Sequence, residues 1–174
     1  TPIKSSAASD VYKRQYHMGD EAQAIKWLDQ YMATTEKPLR GDRYILGVCS
    51  YNKGDYAKAV KQLSQTVRAN DALSQSSSMY LGQSYLKLGQ SNNARMSFES
   101  AATASFDKQV KEAAMYNYAL LVHETGFTGF GESVRIFEDF LNDFPNSQYA
   151  DKVNDYLVET YLTTKNYESA LRSI

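Results

Sequence analysis

A phrase recurs in this chain at a fixed interval. It reads LGVCSYNKGDYAKAVKQL from Leu46 to Leu63 and LGQSYLKLGQSNNARMSF from Leu81 to Phe98. Alanine marks the interval at Ala24, Ala59 and Ala94, each 35 residues after the last. A period of this length is one pair of helices. A pair so small cannot bury its apolar face alone, so the chain is constrained to stack pairs into an all-α solenoid.

The recurring residue types have physical roles at their positions. In the second pair, Tyr44, Leu46, Gly47, Ser50 and Tyr51 fall on a first helix. Gly54-Asp55 makes the turn, and Tyr56, Ala59, Val60, Leu63 and Val67 form a second. Spacings of three and four place each set on one helix face. Gly19-Asp20 and Gly54-Asp55 read as helix junctions, glycine stopping one helix in the left-handed conformation and aspartate capping the next; Gly89-Gln90 repeats the stop with a weaker cap. Gly47 and Gly82, with Ala119 in the next unit, are the small residues that allow close crossing. Ala24, Ala59, Ala94, Ser133 and Ala170 face them, and four residues after each comes a large apolar plug: Leu28, Leu63, Phe98, Phe137 and Ile174. Tyr56, Phe130 and Tyr167 precede the small position by three. Gly82 is expected to be needed for folding, and Tyr51 to be dispensable for it.

Composition suits such a stack. The chain is 43% apolar and 13% aromatic, and its 14 tyrosines fit surfaces half-buried between helices. A formal charge of −1 with both signs interspersed gives no reason to expect a nucleic-acid or anionic-membrane partner. No apolar run reaches the roughly 20 residues that span a bilayer, so no membrane insertion is expected of this chain. Cys49 is the only cysteine, which excludes an internal disulfide and a cysteine metal cluster. Residues 1–15 break the pattern of all that follows and read as non-native read-through or a disordered tail. The last helix, from about Tyr167 to Ile174, reads as the start of a truncated repeat in a longer protein.

Reactive chemistry is not expected. His17 and His123 are the only histidines, and neither has the spacing partners of a metal site. Gly126, Gly129 and Gly131 lack the order and preceding strand of a phosphate loop and read as a turn between helices. Glu138-Asp139 and the pair Asp151 and Asp155 sit where solvated helix faces are expected. Cys49 reads as a small packing residue. No catalytic residue, metal or cofactor is assigned; the chain is read as a non-enzyme.

The L-G pair, the following tyrosine and the later A-x-x-x-F resemble the tetratricopeptide repeat. The resemblance covers residues 16–174 as a half repeat (about 16–38), three repeats (about 39–73, 74–108 and 109–147) and a truncated one (148–174). It implies a right-handed superhelical solenoid of antiparallel helix pairs. The early tryptophan of the repeat is replaced by Arg43 and Ser78, and the closing proline occurs only at Pro145. An insertion around Gly126, Phe127, Thr128 and Gly129 stretches the third interval to 39 residues.

Between Phe137 and Leu171, where Phe144-Pro145-Asn146-Ser147 leads through Tyr149-Ala150 into a helix, the chain is similar to repeats of bacterial envelope proteins. These include the lipoprotein of the outer-membrane assembly machine and the Tol–Pal coordinator. The resemblance implies a scaffold that binds other proteins or peptides, in the periplasm or cell envelope, with the cytoplasm as the alternative. The tetratricopeptide resemblance implies a concave groove on the first helices, lined by Tyr44, Val48, Tyr51 and Asn52, then Met79, Gln83, Leu86 and Lys87, then Tyr116, Leu120, His123 and Glu124. The lysine and asparagine with which some relatives grip a chaperone's C-terminal carboxylate are replaced by Tyr44 and Val48, so co-chaperone function is not implied. The rival reading is a structural spacer or self-assembly module with no groove ligand. The sequence leaves the oligomeric state open.

Overall fold

The computed structural model describes residues 11, 13–126, 130–163 and 167–174. Phe127, Thr128 and Gly129 of the expected insertion lie outside the described residues, as does most of the expected tail; Lys13, Arg14 and Gln15 are already helical. Among the described residues all regular structure is helix: α1 (Glu21–Thr34), α2 (Arg40–Asn52), α3 (Tyr56–Leu63), α4 (Ala72–Lys87), α5 (Ser91–Thr103), α6 (Lys108–Thr125), α7 (Phe130–Asp143), α8 (Ala150–Thr163) and α9 (Tyr167–Ser173). They fall into two compact units, Thr1–Ser97 and Phe98–Ile174. In the first, α2 packs on α1, α3 and α4; in the second, α7 packs on α6 and α8, and α8 on α9.

The 35-residue period is written into the hydrogen bonds of the first unit. Gly19, Gly54 and Gly89 all have positive φ, between 74° and 86°. At each, the glycine N–H donates to the carbonyl three residues back, and the next N–H reaches the carbonyl five back: Asp20 to Gln15, Asp55 to Ser50, Gln90 to Tyr85. This is a Schellman stop, which uses glycine because only a residue without Cβ enters the left-handed region without strain. The next helix starts at once. Asp20 and Asp55 accept from the N–H of Gln23 and Lys58, both at 3.1 Å. Gln90 does not cap in this way; its side-chain oxygen accepts from the Asn93 amide at 2.9 Å.

Small and large residues then interlock. Ala24, Ala59 and Ala94 have no exposed surface, nor do Leu28, Leu63 and Phe98 four residues later. A Cβ placed on Gly47 would lie 2.5 Å from Cγ and 2.8 Å from Cδ2 of Leu63. Glycine is therefore required at that point by the neighbour, not by backbone conformation. Around the contact lie Val48, Leu63 and Leu81, with Tyr44, Tyr51, Val60 and Tyr80 against them, while Leu28 and Leu46 form a second cluster with Ile25 and Trp27.

The second helix of that pair ends at Leu63, short of the expected Val67. Hydrogen bonding after Leu63 explains the stop. Gln65 and Thr66 donate to carbonyls three residues back, and the Thr66 hydroxyl bonds both the Leu63 carbonyl and Ser77. The Thr66 carbonyl is taken by the Arg40 guanidinium, at 2.7 Å from Nη2. Arg40 also grips the Asp71 carboxylate at 2.8 and 3.0 Å and the Ser74 hydroxyl at 2.9 Å. That hydrogen-bonded guanidinium holds the Asp71 carboxyl well below its ordinary range. Asp71 in turn caps α4 through the Ser74 N–H at 2.9 Å. One arginine thus fixes the turn between two pairs.

In the second unit the core is aromatic. Phe137, Phe140 and Phe144 pack with Val122, Ile136, Val153, Leu157 and Tyr161. Ser133 takes the small position and is buried. Gly126 stops α6 in the left-handed region with φ 60°, whereas Gly131 lies inside α7 and not in the turn. Beyond Pro145, the Ser147 hydroxyl accepts from the Tyr149 N–H at 3.1 Å in the turn that leads into α8. The side chains of Phe130, Tyr167 and Ala170 lie outside the described residues. Ile174, expected as a plug, is 90% exposed.

Two stability predictions follow from the first unit. Gly47→Val, which overfills the contact with Leu63, should lower stability by about 1–3 kcal/mol in chemical denaturation. Asp42 is buried at the start of α2, and one of its carboxylate oxygens has no hydrogen-bond partner. Burial raises its pKa, against a smaller opposing effect of the Leu39 backbone. A raised carboxyl pKa means that the charged form weakens the fold, and that this cost fades as pH falls through the folded-state pKa. Asp42→Asn should therefore raise the melting temperature at pH 7, with the gain over wild type vanishing as pH approaches about 4.

Candidate partner-binding faces

On the first unit, the face expected to bind partners carries a cluster of tyrosines. Tyr44 meets Tyr80 edge-on with ring centroids 6.3 Å apart, and Tyr51 meets Tyr80 at 5.5 Å and Tyr56 at 5.6 Å. All four rings are half-buried. Helix α2 places Tyr44 and Tyr51 two turns apart on one stripe, and α4 inserts Tyr80 between them. Burial, reinforced by the neighbouring Tyr80 phenol, pushes the Tyr44 hydroxyl up to about 12. Burial likewise raises Tyr51 and Tyr80. These phenols stay neutral at physiological pH and offer hydrogen bonds beside apolar rings.

The other residues named for this face divide by burial. Val48 is 3% exposed and belongs to the core. Met79 is 9% exposed, at the edge of burial. Gln83 is half-buried, and Asn52, Leu86 and Lys87 are exposed. Asn52 donates its amide to Glu21 at 2.9 Å, so its donor already serves the junction with α1. Tyr80 is absent from the sequence-based set. Its signal was its place one residue after Met79, on a helix whose buried stripe is wide and serine-rich. Tyr51, expected to be dispensable for folding, contributes its ring to packing as well as to the surface.

On the second unit, Tyr116 lies flat on Tyr149, with centroids 4.2 Å apart and planes 8° from parallel. His123 leans on Phe137 at 5.5 Å and on Tyr156 at 5.2 Å. Leu120 is half-buried and Glu124 exposed. Tyr149, in the turn before α8, and Tyr156, on α8, were not among the predicted residues; the spacing used to choose sites on α6 carries no information about which rings the segment after α7 brings. Tyr116→Ala should lower the melting temperature and cost about 1–3 kcal/mol, less than the full loss of a buried aromatic because the ring is only half-buried. Tyr116→Phe, which keeps the stack, should restore it.

Cys49 is buried, and burial first, then the Glu21 charge, pushes its thiol up to about 12, so it carries no thiolate at neutral pH. Among the described residues no group of three or more histidine, cysteine, aspartate or glutamate side chains could hold a metal ion. Among the same residues no helix is long and apolar enough to cross a membrane.

The stacked helix pairs, Schellman stops and small-to-large crossings define a helical repeat of the tetratricopeptide type, a fold that generally mediates protein–protein interaction. The comparisons agree on that class. The family described as anaphase-promoting complex, cyclosome, subunit 3 matches residues 17–101. Among solved structures the chain is similar to YrrB, described as a TPR protein with an unusual peptide-binding site. That likeness has a TM-score of 0.75 at 15% identity and covers 98% of this chain and 82% of that one. It is also similar to MamA, residues 41 to the end, from Desulfovibrio magneticus RS-1, with a TM-score of 0.70 at 19% identity over 97% of this chain and 90% of that one. Identities this low speak for the fold alone. No curated protein matches the chain in sequence.

Proposed function

We infer that this chain is a non-catalytic scaffold that binds segments of partner proteins on the first helices of its pairs. The observation that supports this reading is the tyrosine cluster of Tyr44, Tyr51 and Tyr80. Rings that brace one another are already ordered before a partner arrives, so little conformational entropy is lost on binding. Their faces supply apolar contact and their hydroxyls set register, the combination found at protein interfaces. Gln83, Leu86 and Lys87 continue the face on α4, and Tyr116, Leu120, His123 and Glu124 form its counterpart on the second unit. The partner is a protein or peptide, and no cofactor is involved.

We assign the scaffold to a larger bacterial protein of the periplasm or cell envelope. The support is the Phe144-Pro145-Asn146-Ser147 junction, in which Phe144 is buried and Ser147 braces the turn before the next helix. The test uses Leu86→Asp/Lys87→Glu. Both positions are exposed, so the double variant should melt like wild type. It should lose a partner that wild type captures from a bacterial envelope fraction and not from the cytoplasmic fraction. Equal capture by the folded variant would overturn the face, and capture from the cytoplasmic fraction alone would overturn the compartment.

A further inference from the structure

A cavity of about 230 Å³ opens between the second helices of two successive pairs, α5 and α7, in the second unit. Its wall is apolar: Ala102, Met115, Tyr118 and Ile136. Its rim carries Glu99, Glu132 and Asp139 around a single cation, Arg135. Arg135 is already engaged, 2.5 Å from Glu132 and 3.6 Å from Asp139 along its own helix. Hydrogen bonding to Arg135 holds the Glu132 carboxyl below its usual range, so it remains charged. Glu99, contributed by α5, has no ion pair among the described residues. Three carboxylates against one guanidinium leave the rim with an excess of two negative charges.

A second observation concerns the whole unit. The formal charge of −1 conceals a separation: residues 1–97 hold 13 lysines and arginines against 8 aspartates and glutamates, whereas residues 98–174 hold 6 against 12. The unit that contains the cavity is thus strongly acidic, and its field would concentrate cationic segments near the rim.

We propose that this cavity docks a lysine or arginine side chain from a basic segment of a partner protein. The volume falls below the range of about 300–1,000 Å³ usual for small-molecule sites, which suits a single side chain better than a cofactor. Long cationic side chains lay their methylenes along apolar surface and keep the charged head at the edge. Met115 and Ile136 provide that surface, and Glu99 with Asp139 provides the edge. This inference rests on the scaffold reading and names the chemistry of a partner at a different place, on a stripe of α6 other than the one holding Tyr116 and Leu120.

The probe is a short fluorescent peptide alternating lysine and alanine, titrated by anisotropy, with its acetyl-lysine counterpart as the uncharged control. Wild type should bind the lysine peptide at least about tenfold more tightly than the acetylated one. Glu99→Gln/Asp139→Asn should weaken binding by about as much. Thr103→Tyr, at an exposed position on the cavity wall, should also abolish it by filling the space with every carboxylate intact. Asp155→Asn/Glu159→Gln removes the same charge from exposed sites of α8 and should change nothing. Equal weakening by both charge-removing pairs with no effect of Thr103→Tyr would mean a diffuse field and overturn the site. Equal affinity for the acetylated peptide would overturn a cationic occupant. Concentration-dependent self-association lost in Glu99→Gln/Asp139→Asn would put a second copy in the cavity and overturn a separate partner. Leu86→Asp/Lys87→Glu should bind the lysine peptide like wild type, so failure of the first-helix face and failure of the cavity can be told apart.

Discussion

The absence of a side chain at Gly47 is what lets Leu63 seat against the first helix of its pair. Because a helix pair buries only one face within itself, its stability comes from how closely it meets its partner and its neighbours. A crossing with almost no gap fixes that distance. Once it is fixed, the alanine at position 59 and the leucine at 63 can be fully buried, and Val48 and Leu81 close over them. The same small-and-large pair recurs in fully buried form at Ala24 with Leu28 and at Ala94 with Phe98. Its position relative to the Schellman glycine is constant, so one turn geometry delivers each plug to the equivalent place.

Polar contacts do a different job. Arg40 joins a carbonyl and a carboxylate from the segment that links α3 to α4 to a hydroxyl in the first turn of α4. Such contacts add little free energy when partly exposed, but they are directional and determine where a helix ends. Lys58 ties α3 to Asp29 of α1 at 2.7 Å in the same manner. Burial makes the pair stack cohere, and charged bonds set its register. In the second unit, stacked rings largely replace that pattern, with Tyr116 on Tyr149 and Phe137 on Tyr156.

The surfaces follow from this division. Tyrosines too large to be buried whole remain half-exposed at the seams between first helices, braced by one another. Between second helices α5 and α7, the wall of a cavity is left apolar while its rim carries charge. Two kinds of surface therefore arise on one scaffold, one neutral and aromatic, the other acidic.

The repeat, the helix junctions and the buried small-to-large positions were legible in the sequence because each depends on residues only three to five apart, within one turn of helix. Ala59 with Leu63 and Gly54 with Asp55 announce themselves locally. Arg40 did not, since its partners lie 26 to 34 residues away, and it moved the end of α3 from Val67 back to Leu63. Residue spacing placed Tyr44 and Tyr51 on one stripe but could not reveal that Tyr80 would fill the space between them, or that Val48 on the same helix would be closed into the core. Nor could a net charge of −1 show that cations gather in one compact unit and carboxylates in the other. Periodicity along the chain determines which face of each helix is buried. Only packing between helices decides which of the remaining side chains meet, because contact across a helix interface depends on rotation and separation that no single helix encodes.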